Sequence, residues 1–248
     1  MKISIITVSF NSAATIRDTL NSIVSQNYSN IEHIIIDGGS TDNTLKIVQE
    51  FPHVAKLISE KDNGLYDAMN KGIEIATGEI IGILNSDDVY AQSTVLSKIA
   101  AVFADKNISA SYGDLQYVNA TDLRKVVRTW KSGRFKPSDF YYGWMPPHPT
   151  FFVRRKVYCL TGLFNTSLNT AADYELMLRI LFKNKLPAAY IPEVLVKMRM
   201  GGISSSSIRQ RLIANKEDRL AWKINKLEPY FFTLFLKPAR KIFQFFRK

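Results

Sequence analysis

The chain has 248 residues, 46% of them hydrophobic, enough for one large domain with its own core and far from a disordered composition. Its lone cysteine, Cys159, excludes an intrachain disulfide and a thiolate metal site, and fits a reducing compartment. The net charge of +11 gathers late: residues 209–248 hold eleven Lys or Arg against three acids, a surface suited to nucleic acid, anionic membrane or phosphorylated substrates.

Ile3 to Val8 is a nearly continuous, β-branched apolar run, as a strand buried on both faces requires. It is too short for the h-region of a signal peptide, and no stretch approaches the roughly 20 apolar residues of a spanning helix. Residues 13–26 carry Ile16, Leu20, Ile23 and Val24 at helical spacing, with Ser12 as the expected N-cap. A second strand is predicted at 31–36, a polar turn at 37–42, and a helix at 43–51 that Pro52 ends. Then follow a strand at 54–59, a helix at 65–76 closed by Gly78, and a strand at 79–84 that runs into Asn85-Ser86-Asp87-Asp88. Alternating strands and helices predict a mostly parallel sheet covered on both faces, with ligands beyond the carboxyl ends of its strands. Three polar segments fall at those ends: 9–12, 37–42 and 85–88.

The pattern changes after about residue 107. Two hairpin strands are expected at 109–118 and 125–130. The aromatic, Gly- and Pro-rich stretch 133–149 reads as an ordered loop over a site or as a lid. A strand is expected at 151–155, a helix at 172–182, and two short strands at 188–191 and 194–199. Gly201, Gly202 and Ser204 to Ser207 read as a joint before a helix at 208–227.

Asp87 and Asp88 are adjacent carboxylates at a strand end, a poor core feature because buried charges need partners. They suit a hard cation, Mg²⁺ or Mn²⁺, that shares oxygens between protein carboxylates and substrate phosphates. The competing reading is a helix cap by Asp88 or Ser93.

The segments Thr7-Val8-Ser9-Phe10-Asn11, Asp37-Gly38-Gly39-Ser40-Thr41-Asp42-Asn43-Thr44, Gly64 to Gly72, Ala76-Thr77-Gly78-Glu79 and Asn85-Ser86-Asp87-Asp88 resemble the family 2 glycosyltransferases in order and spacing. A looser match runs through Ala172 to Leu176 and on to Gly201-Gly202-Ile203-Ser204. The resemblance implies an α/β fold of GT-A type, a mostly parallel, Rossmann-like central sheet flanked by helices. Residues 1–107 would bind the nucleotide-sugar, 108–205 the acceptor, and 206–248 would form a C-terminal helical extension. The activity implied is inverting transfer from a nucleotide-sugar, a UDP-sugar by preference, to a saccharide hydroxyl. The acceptor would be lipid-linked, in bacterial surface polysaccharide synthesis.

The resemblance also implies roles. Phe10 would pack on the nucleobase with Ser9 and Asn11 beside it, and Asp37 would hydrogen-bond the base. Asp67, Asn70, Asn85 and Ser86 would line the nucleotide pocket. Asp87 closes the family's Asp-X-Asp motif and would ligate the metal, while Asn85 replaces the first acid. Asp173 would be the general base, within reach of the acceptor hydroxyl; a favourable first-turn acid is the plainer reading, and Glu175 the alternative base. His148 would touch acceptor, diphosphate or metal, or simply fix a loop. Arg199 and residues 201–207 would close over the diphosphate, or form a plain hinge. His33 and His53 read as structural and surface residues.

The C-terminal stretch 228–248 interleaves aromatics with Lys and Arg, which suits a membrane surface and hence a place on the cytoplasmic face of the inner membrane. Its alternative is packing on the catalytic domain or on another subunit. Nucleic acid is not an expected partner. Two rival functions stand beside the transferase: a sugar nucleotidyltransferase, which the glycine- and lysine-free segment 9–12 disfavours, and a non-enzymatic membrane or nucleic-acid binder on a degenerate fold.

Overall fold

A computed structural model describes residues 1–201 and 208–243. Four strands, β1 (Ile3–Ser9), β2 (Ile31–Asp37), β3 (Val54–Ser59) and β4 (Ile80–Ile83), lie parallel in the order β3-β2-β1-β4. Helices α1 (Ile16–Val24), α2 (Thr44–Gln49) and α3 (Leu65–Ile75) connect them. The continuous apolar run of β1 has the reason expected. Ile3 and Ile5 enter a core with Ile23 and Ile80, whereas Ile6 and Val8 enter another with Met69 and Ile73 of α3. Alternate residues of one strand thus serve the two faces. Ile16 and Leu20 of α1 pack with Ile35 and Val48 in a third, smaller cluster.

The sheet continues into the second half of the chain without a break. The two-residue β5 (Val89–Tyr90) leads to α4 (Val95–Val102), then β6 (Ala110–Val118) and β7 (Val126–Trp130), β8 (Phe152–Arg154), α5 (Arg155–Thr161), α6 (Ala172–Met177) and β9 (Ala188–Arg199). The nine strands run β3-β2-β1-β4-β8-β6-β9-β5, with β7 paired to β6. β8 is antiparallel to both β4 and β6, and so returns β6 to the direction of β4.

Three expectations change. Residues 188–199 form one strand, not two, because the pairing with β6 skips a step between Ile191 and Val194 rather than ending there. The intervening Pro192 has no N–H for the ladder, so a bulge accommodates it. The helix at 172 turns π-helical over Leu178–Lys183, and α5 carries no strong apolar periodicity to announce it. Ser12 does not cap α1 through its side chain; its carbonyl accepts from Ile16 N at 2.9 Å while its hydroxyl turns to Phe10 O. Residues 133–149 are packed: Phe140 is fully buried, and Phe135 stacks on Trp144 at 4.7 Å between centroids.

Two C-terminal helices, α7 (Ile208–Ile224) and α8 (Thr233–Phe243), complete the molecule. Ala221, Trp222 and Leu234 belong to the main core. α8 lies so close to the 137–143 turn that a Cβ on Gly143 would meet Lys237 N at 2.4 Å. Part of the basic-aromatic segment is therefore packed on the domain: Tyr230 lies against Tyr141, and Phe232 stacks on Tyr142. Phe231 and Phe235 remain 86% and 70% exposed. Among the described residues no helix is long and apolar enough to cross a membrane. Residues 202–207 of the expected joint and 244–248 of the basic-aromatic tail lie outside the described residues.

Candidate active site

The parallel register of β1, β2 and β4 brings the three polar segments to one edge, and short side chains stitch them together. Gly38 N donates to Ser9 O at 2.8 Å, and Ser86 N to Val8 O at 3.3 Å. Asn11 holds φ +47°. Its amide oxygen accepts from Thr41 N at 2.9 Å, and its N–H donates to Ser40 Oγ. Asn tolerates this left-handed conformation better than most residues. Ser86 Oγ donates to Ser12 Oγ at 2.8 Å, and Asp42 accepts from Ala13 N at 3.0 Å.

Asp37 is the hub of this edge. It is fully enclosed, and its carboxylate accepts five hydrogen bonds: from Ser9 Oγ and Ser40 Oγ on Oδ1, and from Gly39 N, Ser40 N and Ser59 Oγ on Oδ2. Burial opposes its ionisation, but the Ser40, Ser59 and Ser9 donors outweigh burial and hold the carboxyl below its usual range. Phe10 stands above the edge, 63% exposed. Between them Gly38 leaves a gap: a Cβ there would meet Asp62 Oδ2 at 2.6 Å and the Phe10 ring at 3.5 Å. Asp62 therefore faces the same hollow as Phe10, a neighbour that the motif reading missed.

At the end of β4 the situation inverts. Asp88 is fully buried, and neither carboxylate oxygen has a hydrogen-bond partner; the Asn85 Oδ1 is likewise buried and unpartnered. Burial first, and the Asp87 charge second, push Asp88 well above the usual carboxylate range, with Arg199 only partly opposing. Burial also raises Asp87, which stays partly accessible. The capping alternative for Asp88 fails, since α4 begins at Val95 without a side-chain cap. Orphaned hard oxygens that resist ionisation in isolation fit a divalent cation. Among the described residues no three His, Cys, Asp or Glu side chains converge on one point, so Asp87, Asp88 and the Asn85 amide are the donors available.

Tyr117 of β6 links this end to the other acid. Its hydroxyl is raised foremost by burial; the Arg128 guanidinium, 3.9 Å over its ring, opposes this, and the Asp88 and Asp173 charges add smaller upward pushes. Asp173, in the first turn of α6, accepts from Tyr66 OH at 3.2 Å and Tyr174 N at 2.8 Å, both on Oδ1. Burial foremost, then Asp173, raise the Tyr66 hydroxyl, so it stays protonated and donates. His148 lies edge-on to Phe164, which stacks on Tyr66 at 5.5 Å. Burial lowers the His148 pKa, and Asp173 partly opposes this. His148 thus stands beside the Phe164–Tyr66 stack, within reach of the Asp173 charge.

Other expected site residues are engaged elsewhere. Asn70 locks the Phe164 backbone, donating to its carbonyl and accepting from its N–H, each at 2.9 Å. Asp67 accepts from Asn63 N at 3.0 Å and lies 3.6 Å from Lys71, closing the start of α3. Arg199 spends all three guanidinium nitrogens on Asp18, Asp87 O and Ala120 O. It clamps the backbone of the 85–88 turn rather than standing free for a diphosphate. Glu175 pairs with Arg179 at 2.8 Å and accepts from Asn225, so the alternative base is taken up structurally. His33 is buried between Thr7 and His53, each at 3.0 Å, which makes both histidines structural. Tyr66 and Tyr117 were missed in the sequence. Tyr66 lies one turn before Asn70 on the same face of α3, a faint signal; Tyr117 gives none.

The profile of the family described as "Glycosyl transferase family 2" matches residues 4–161, more than half of the chain. The chain belongs to glycosyl transferase family 2. Among its relatives, a "PGL/p-HBAD biosynthesis glycosyltransferase" of Mycobacterium bovis is 29% identical over 216 residues, covering 85% of this chain and 82% of the relative. An uncharacterized glycosyltransferase of Mycobacterium tuberculosis is 31% identical over 183 residues, covering 71% and 68%. Among solved structures, S. aureus TarS has a TM-score of 0.65 at 18% identity, with 89% of this chain covering 44% of that longer one. A mannosyltransferase of Pyrobaculum calidifontis, solved with GDP-Man and Mn²⁺, has a TM-score of 0.62 at 20% identity, covering 97% and 73%. The fold of this family 2 glycosyltransferase is the GT-A fold, a mostly parallel curled sheet with C-terminal helices added.

Proposed function

We propose that this family 2 glycosyltransferase is inverting and metal-dependent, and moves a sugar from a nucleotide-sugar, in our reading a UDP-sugar, to a hydroxyl of a saccharide acceptor. The observation that carries it is a pair of unlike acids that both act on one buried tyrosine, Tyr117. Asp88 and Asn85 bring unpartnered oxygens, and Asp173 a hydrogen-bonded carboxylate. S. aureus TarS is known in complex with UDP-GlcNAc, and the Pyrobaculum enzyme with GDP-Man and Mn²⁺, which agrees with a nucleotide-sugar donor and a divalent ion here.

In this reading the base stacks on Phe10 above the hollow at Gly38, and Ser9, Asn11, Asp37 and Ser86 shape that pocket through the bonds already described. Asp67 and Asn70 hold α3 and Phe164 behind it. Mg²⁺ or Mn²⁺ held by Asp87, Asp88 and the Asn85 amide would supply positive charge against the departing diphosphate. Both donors to Asp173 go to Oδ1, so Oδ2 accepts the proton of the acceptor hydroxyl. His148, neutral near pH 7, sits beside Asp173 on the acceptor side.

The acceptor is lipid-linked in this reading, and the protein sits peripherally on a membrane. Exposed Phe231, Phe235 and Arg240 support it, an aromatic and basic group left over after the rest of the segment has packed. The test of the activity is a panel of UDP-, GDP-, dTDP- and ADP-sugars with Mn²⁺ or Mg²⁺. Metal-dependent hydrolysis or transfer from one of them is expected. Binding of none, with or without metal, would refute the reading.

A further inference from the structure

Glu217 of α7 makes a set of contacts that the reaction scheme does not use. Its Oε2 accepts from Thr170 N at 2.7 Å, Thr170 Oγ1 at 2.8 Å and Ala171 N at 3.1 Å, and its Oε1 from Asn169 N at 3.1 Å. These three residues immediately precede α6, whose second residue is Asp173. The N–H groups that lead into a helix have no partner within it and must find one outside. Here one carboxylate from a helix 46 to 48 positions later in the chain takes them all.

The rest of the same α7 face holds the body of α6. Asp218, Ala221, Trp222 and Asn225 follow at helical spacing and are buried. Trp222 Nε1 donates to Tyr174 OH at 2.9 Å, and Asn225 Nδ2 to Glu175 Oε1 at 2.8 Å. Lys237 of α8 pairs with Asp218 at 2.6 Å and lies 3.6 Å over the Tyr174 ring. Those contacts fix the helix in place. Glu217 fixes its entry, one residue before the turn that aims Asp173 at Tyr66.

We infer that Glu217 is a positioning residue for the transfer step: α7 reaches back across the domain so that its carboxylate sets the first turn of α6, and with it Asp173. The inference rests on the assignment of Asp173 as base. It makes the C-terminal helices part of the active site's frame as well as a surface for attachment.

The test compares Glu217→Ala and Glu217→Gln in the full chain. Gln keeps one oxygen for the Thr170 and Ala171 donors but turns its NH₂ toward Asn169 N, so it should rescue in part. Amide hydrogen exchange reads the clamp without any ligand: exchange at 169–171 should accelerate by about ten-fold or more in the Ala variant, and less in Gln, while residues 38–40 stay as they are. With the nucleotide-sugar that the unmodified protein consumes in Mn²⁺, kcat should fall by about 10- to 100-fold in Ala, and less in Gln, with donor KM within about two-fold. Unchanged exchange at 169–171, unmodified kcat, or a parallel loss of kcat and donor affinity would overturn the inference. If the Ala variant does not fold, the Gln variant carries the same comparison. Full turnover by Asp173→Asn would remove the base assignment itself, a failure visible without any Glu217 variant.

Discussion

Asp37 ends β2 and Asp88 follows β4, the two strands that flank β1, and both are fully enclosed, yet their surroundings are opposite. Asp37 accepts five hydrogen bonds and is held ionised; Asp88 accepts none and is pushed toward its neutral form. A buried carboxylate that the chain itself satisfies is a structural part. One that the chain leaves bare, beside a second acid, is stabilised only by something from outside. The same residue type in adjacent motifs thus does two jobs, and the donors around it tell which.

The largest effects should fall on the bare side. Asp87→Ala and Asp173→Ala are each expected to lower transfer by about 10³-fold, measured as turnover of the donor found in the nucleotide-sugar panel. On the satisfied side the effect is on stability. Asp37→Asn presents an NH₂ to donors that need an acceptor, and should cost about 3 kcal/mol, read as a fall in Tm of roughly 6–12 °C. An unchanged Tm would show that the five bonds contribute little.

Asp88→Asn should do the reverse in metal-free protein, raising its Tm at pH 7, because the carboxyl must take up a proton to be buried and the amide need not. The pH dependence separates the two acids by sign. Asp88 has a raised folded pKa, so its contribution to stability is present at acid pH and is lost as pH rises through that raised value. Asp37 has a lowered folded pKa, so its contribution is present above the unfolded value of about 3.9 and is lost as pH falls through the folded one. Metal-free thermal melts from pH 4 to 8 check both. The Asp88→Asn variant should lose the decline at high pH and keep the one at low pH. Mn²⁺ should raise the Tm of the unmodified protein and leave Asp88→Asn nearly unmoved.

The smallest effect on the fold is expected at the exposed aromatics. Phe231→Ser with Phe235→Ser should change stability by less than about 0.5 kcal/mol while reducing co-sedimentation with anionic phospholipid vesicles. Equal binding by the double variant would dissociate the C-terminus from any membrane role.

Much of this was legible in the sequence. The β1-to-β4 order, the three connecting helices and the gathering of segments 9–12, 37–42 and 85–88 all followed from apolar periodicity and from where polar residues interrupt it. What was not legible depended on partners far along the chain. Asn70 finds its partner in the Phe164 backbone, 94 residues on, and Arg199 reaches Asp18 across 181 residues. No local pattern distinguishes such a structural Asn or Arg from one that holds a ligand. The bulge at Pro192 depends likewise on pairing with β6 rather than on its own composition.

The central claim is that one cleft combines a metal-assisted donor end with a separate base at Asp173. Its most direct test is Mn²⁺-dependent binding and turnover of the active nucleotide-sugar by Asp173→Ala and Asp87→Ala side by side. The account predicts that Asp173→Ala binds donor as the unmodified protein does, with the same need for metal, but fails to transfer, whereas Asp87→Ala loses metal-dependent binding. Undiminished transfer by Asp173→Ala, or metal-independent donor binding by the unmodified protein, would contradict it.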